Sequence, residues 1–79
     1  MGKMEWIESV RHRIAYNLRE MRMRHNMTLS ALHQRTGLSW KVLENWELEK
    51  TSPSVERLMW LCKCTGWKLS EILGGLKDG

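Results

Sequence analysis

Two cysteines and three histidines hold the most reactive side chains of this chain, and their spacing assembles no reactive centre. Cys62 and Cys64 stand two residues apart, so on a helix they point to different sides, and a bond between them would close a trivial loop. The expectation is one half-buried and one exposed thiol in a reducing cytoplasm. A metal site needs further ligands at short spacing, and His12, His25 and His33 do not supply them. The hydroxyls lack a His and an acid at catalytic spacing, and no Gly-rich phosphate loop is present. Neither an enzyme, a cofactor nor a small-molecule substrate is expected.

The spacing that does carry chemistry runs from Trp40 to Asn45. On a helical wheel Leu43 and Trp46 fall on one side with Val42 beside them, leaving Lys41, Glu44, Asn45 and Leu48 on the other, with Trp40 at the border. Lys41 can donate to guanine O6 and N7 or to a phosphate, Asn45 can pair with adenine in bidentate fashion, and Glu44 can accept from cytosine N4. Trp40 can stack on a sugar or touch a thymine methyl, or it can wedge between helices as core.

Helices must position these groups. Ile7, Val10, Ile14, Leu18 and Met21 recur at steps of three and four, which predicts an amphipathic helix from about residue 5 to residue 24, ended at His25 and Asn26. Thr28 is a good N-cap for a short helix reaching Thr36, with Leu29 and Leu32 on its inner side. Gly37 then allows a left-handed turn, and Ser39 caps the helix that carries Lys41 to Asn45. A polar connection from Glu49 to Ser52 ends at Pro53. Val55, Leu58, Cys62 and Thr65 mark the inner stripe of a fourth helix closed by Gly66, and Leu69, Ile72 and Leu73 form a last short one. No segment alternates as a strand would, so the fold class is all-α, a compact bundle of about five helices.

Length and charge narrow the partners. Seventy-nine residues make one domain. No apolar run approaches the roughly 18 residues of a membrane span, and the first residues have no signal-peptide pattern. The net charge of +4 lies in the first half of the chain, where seven basic residues face three acidic ones. Such a half suits a polyanion, although a solvated helix face explains it as well.

Leu29 to Leu48, a helix, a Gly-containing turn and a Ser-capped second helix, reads as a helix-turn-helix, whose second helix fits the DNA major groove. The stretch from Asn17 to Leu73 resembles the Cro and phage-repressor-like helix-turn-helix family, also called the xenobiotic-response-element family. The resemblance is carried by Leu18, Met21 and Arg22, then Thr28 and Leu32. It continues through Gly37, Ser39, Leu43, Trp46, Glu47, Pro53 and Ser54, and closes on Leu69 to Leu73.

The resemblance implies a lambda-repressor-like DNA-binding domain over 17–73, preceded by an extension over 1–16 and followed by a short polar tail over 74–79. It implies double-stranded DNA as partner, a transcriptional regulator, most often a repressor, and a homodimer on DNA spanning half-sites about 34 Å apart. Trp40, Lys41, Glu44 and Asn45 would read bases. Thr28, Ser30, Gln34, Arg35, Ser39, Lys50, Thr51 and Ser52 would meet the DNA backbone. Arg22 and Glu47 fall where the family pairs an Arg with a buried Glu. Three positions depart from the family pattern: Leu29 where a Gln is common, His33 where a small residue sits at the crossing of the second and third helices, and Leu48-Glu49 in place of a Gly-rich turn. His33 is expected to fill a wider crossing, the alternative being a phosphate donor or pH-sensitive group. Arg11 and Arg13 are assigned to a solvated or partner-facing surface. Trp60, with Cys64 nearby, is either a partner contact or a cover for the extension around Trp6. A protein-interaction or antitoxin-like module built on the same fold is the rival reading.

Overall fold

The computed structural model describes residues 2–75, and among them the chain is entirely helical. Five helices follow in order: α1 Lys3–Arg24, α2 Leu29–Thr36, α3 Trp40–Glu47, α4 Val55–Thr65 and α5 Leu69–Ile72. The first begins two residues earlier than its apolar spacing indicates, because the Glu5 carboxylate accepts the Gly2 N–H at 3.1 Å and ties down the exposed first turn. The polar positions Lys77, Asp78 and Gly79 of the expected tail lie outside the described residues.

The inner faces of the helices close around one core. Ile14, Leu18 and Met21 of α1 meet Leu32 of α2, Leu43 and Trp46 of α3, Leu58 and Leu61 of α4, and Ile72 of α5. α1 packs on α3 and α5, α2 packs on α3 and α4, and α4 rests on α5. The stripe on α4 differs from the expected one. Val55 is exposed, and Leu61, which is fully buried, takes its place beside Leu58 and Cys62. Val55 is the first residue of the helix, directly after the Ser54 cap, so it sits at the rim of the bundle rather than over its centre. The two thiols are both half-buried, where one exposed thiol was expected, and burial pushes the Cys62 pKa up, so it stays a neutral thiol.

Both helices that end in Thr-Gly stop by the same device. Gly37 and Gly66 take φ of 75° and 78°, a region that costs an L-residue roughly 1–2 kcal/mol, and their N–H groups donate to the His33 and Cys62 carbonyls. The threonine before each glycine locks the turn. The Thr36 hydroxyl donates to the Leu32 carbonyl at 2.8 Å and accepts the Leu38 N–H at 3.1 Å. The Thr65 hydroxyl does the same with the Leu61 carbonyl and the Trp67 N–H, at 2.7 and 3.1 Å. The α2–α3 turn therefore has its direction fixed by a buried side chain as well as by a glycine.

Two long-range ties set the ends of the bundle. Asn17 on α1 donates through Nδ2 to the carbonyls of Ile72 and Gly74, at 2.7 and 2.9 Å, which satisfies the C-terminus of α5. The buried Trp67 indole stacks on His25 with centroids 5.5 Å apart, joining the end of α1 to the α4–α5 connection. A Thr36→Val substitution keeps the shape and removes the hydroxyl, leaving the Leu38 N–H unpaired. It is expected to lower stability by about 1–2 kcal/mol. In a chain of this size that lowers the melting temperature by roughly 4–8 °C per kcal/mol, read by circular dichroism.

Candidate nucleic-acid interface

The position of α3 depends on what holds its back. Leu43 and Trp46 bury their side chains in the core, and Glu47, at the last turn, is buried although it is an acid. A buried carboxylate needs a partner, and Arg22 on α1 provides a two-pronged one: Nε donates to Oε2 at 2.8 Å and Nη2 to Oε1 at 2.9 Å. The third nitrogen, Nη1, donates to the Met27 carbonyl at 2.9 Å in the α1–α2 connection. One guanidinium thereby joins α1, the entry to α2, and the end of α3. The carboxylate hydrogen bond holds the Arg22 pKa above its usual value, so the guanidinium stays charged.

The opposite side of α3 is open. Trp40 is 43% exposed at the first turn. It is not absorbed into the core, as the wedge alternative would have it. Lys41 Nζ lies 3.2 Å from Glu44 Oε1, an exposed pair one turn apart that adds little stability but sets the side chains side by side. Leu48, at the C-cap, is exposed. Asn45 departs from the outward placement expected of it. It is half-buried, and its Oδ1 is shielded from solvent with no donor among the described residues in reach. An orphaned buried acceptor costs about 1–3 kcal/mol, so this amide is not held by internal bonding.

Around this face stand the groups expected to meet a backbone. Thr28 and Ser39 cap α2 and α3, accepting the N–H groups of Ala31 at 3.0 Å and Val42 at 3.5 Å. Ser30 and Gln34 are exposed on α2. Lys50 and Thr51 are exposed in the connection after α3, and their N–H groups fold back onto the Asn45 carbonyl. Ser52 is engaged, because Arg11 Nε donates to its hydroxyl at 3.2 Å. Arg35 is turned away: its Nε donates to the Cys64 carbonyl at 3.1 Å, at the end of α4.

His33 does not fill the helix crossing. It is exposed, and its Nδ1 lies 2.6 Å from the Leu38 carbonyl, so the ring bridges the turn from outside. In the Leu48-Glu49 turn, Glu49 takes φ of 64°, a strained value for a side chain other than glycine. His12 on α1 meets its carboxylate at 3.1 Å. Trp60 is half-exposed, and its indole N–H donates to the Thr36 carbonyl at 2.6 Å, which ties α4 to the end of α2 instead of to the extension around Trp6.

Sequence reasoning missed Asn17, Trp67, and the contacts of Arg11 and His12, since each depends on a partner 37 or more residues away. A shallow groove of about 410 Å³ lies between His25, Gln34, Arg35 and Trp67, and no α3 side chain lines it. Among the described residues no group of three or more His, Cys, Asp or Glu gathers as a metal site would, and no helix is long and apolar enough to cross a membrane.

A Gly-turned pair of short helices with the second presenting a polar face defines a helix-turn-helix DNA-binding domain. The family model for the Cro/C1-type HTH DNA-binding domain matches residues 17–77, and the chain belongs to that family. Comparison with curated proteins and with solved structures finds no match.

Arg22→Met is expected to destabilise the fold by roughly 3–5 kcal/mol, because it strands the Glu47 carboxylate in the core. Adding Glu47→Leu should restore most of the melting temperature. Equal melts for wild type and Arg22→Met would remove the pair from the account.

Proposed function

We propose that the protein is a sequence-specific DNA-binding transcriptional regulator, acting as a repressor and as a homodimer on DNA in the cytoplasm. In this reading α3 enters the major groove, and Trp40, Lys41, Glu44 and Asn45 meet base edges. Occupying a promoter would then block polymerase. The observation that carries the reading is the free face of α3, flanked by the capped N-termini of α2 and α3, on a chain whose family binds DNA. An α-helix with its side chains is about 10–12 Å across, which the roughly 12 Å width of the major groove admits. Asn45 Oδ1 is buried without a donor among the described residues, so in this reading the amide turns outward to meet a base.

Thr28, Ser30, Gln34, Ser39, Lys50, Thr51 and Ser52 supply the backbone contacts in this reading. Arg35 is left out of them, because its guanidinium serves the end of α4. One observation favours the rival module: Val55, Met59 and Trp60 expose apolar surface along α4. That surface suits the second copy of a homodimer as well as a foreign partner, and sedimentation at rising concentration with and without duplex separates the two.

Selection of bound sequences from a random duplex library tests the proposal. The wild-type protein should enrich one motif, and Lys41→Ala with Asn45→Ala should lose it, since a good base contact discriminates by about 1–3 kcal/mol. Enrichment of the same motif by the double variant would show that α3 is not the reader.

A further inference from the structure

The face of α3 that would read bases carries little charge of its own. Lys41 is matched by Glu44 at 3.2 Å, and Trp40 and Leu48 are uncharged. Affinity for a polyanion must then come from cations beside that face, and several arginines are held elsewhere by the fold. Arg22 serves Glu47, Arg24 lies 3.8 Å from Glu71, and the Nε bond of Arg35 directs it to the end of α4.

Arg11 is placed differently. It stands on α1, before the residues matched by the family model, yet its Nε donates to Ser52 in the connection that follows α3. Among the described residues this is the only hydrogen bond its side chain makes, so Nη1 and Nη2 remain for another acceptor. The next residue, His12, holds the Glu49 carboxylate at 3.1 Å, and Glu49 is the only acid between Leu48 and Ser52. Two consecutive residues of α1 thus grip the same connection, one adding a cation to it and the other pairing its single anion. Lys50 and Thr51 are exposed in that connection, with their N–H groups anchored on Asn45 of α3.

We propose that Arg11 binds a phosphate of the DNA backbone beside Ser52, forming with Lys50 and Thr51 a clamp that the N-terminal half of α1 adds to the helix-turn-helix. His12 borders this clamp through its contact with Glu49. The proposal rests on the reading of α3 as the DNA-contacting helix.

The test uses the full chain and a duplex that the wild-type protein selects from a random library. Arg11→Gln retains the stem and a donor for Ser52 but not the charge. Its plot of log affinity against log salt should be shallower than wild type by about one unit, the share of a single phosphate. Arg11→Lys should restore the slope. A second measurement is independent of any loss of stability: neutral methylphosphonates placed singly along the duplex. One position should weaken the wild-type protein several-fold and leave Arg11→Gln unaffected. Equal slopes, or equal losses for both proteins at every methylphosphonate, overturn the clamp while leaving α3 as reader. A flat salt response of the wild-type protein overturns the reading of α3 and the clamp together.

Discussion

The bidentate contact between Arg22 and Glu47 is the constraint on which the geometry of the molecule depends. α3 is eight residues long, too short to be stable alone, so its direction is inherited from what it packs against. Leu43 and Trp46 give it a buried side, but apolar packing tolerates some sliding and rotation. The guanidinium does not, because its two bonds to one carboxylate and a third to Met27 have a fixed fork geometry. The pair costs desolvation at both ends, and its value lies in orientation more than in net stability. With the back of α3 pinned to α1, its front can carry side chains chosen for what they meet outside.

The same logic explains why the positive charge is a poor guide to the binding face. Arg35 and Arg19 direct guanidinium groups at main-chain carbonyls near the ends of α4 and α3, at 3.1 and 3.5 Å, where unpaired acceptors and the negative end of the helix dipole gather. Two of the seven basic residues in the first half of the chain thus close helix ends. The outer face of α3 is nearly neutral, since Lys41 is paired with Glu44, which in the proposed reading separates selectivity from affinity. In the proposed reading, a few polar side chains would meet base edges, and the attraction to phosphate would come from the elements around them.

What was legible in the sequence was local. Thr28, Gly37, Ser39 and Gly66 act within a few residues of themselves, and the helix boundaries they mark lie within about two residues of the observed ones. The placement of Arg22 opposite Glu47 came from resemblance to a family, not from spacing. Distance in sequence hid the rest. Asn17 bonds to carbonyls 55 and 57 residues away, which no periodicity can indicate. His33 was read as filler because a bulky ring at a helix crossing suggests one, yet its ring reaches the Leu38 carbonyl from the solvent side. Val55 and Leu61 changed places because a helical wheel ignores where a helix enters the bundle. Asn45 looked fully outward on the same wheel, which cannot show that the connection after α3 folds back over it.

Five tryptophans in different surroundings allow the central claim to be tested in one spectrum. Trp40 lies at the start of α3, Trp60 is bonded to the end of α2, Trp46 and Trp67 are buried, and Trp6 is on the first half of α1. Their indole N–H signals can be followed by nuclear magnetic resonance as duplex DNA is added, together with the backbone amides. The account predicts that Trp40 and the amides of Lys41 to Asn45 and Lys50 to Ser52 shift together, while Trp46 and Trp67 stay in place. A titration that moved Trp60 and its neighbours on α4 and left Trp40 unmoved would contradict it.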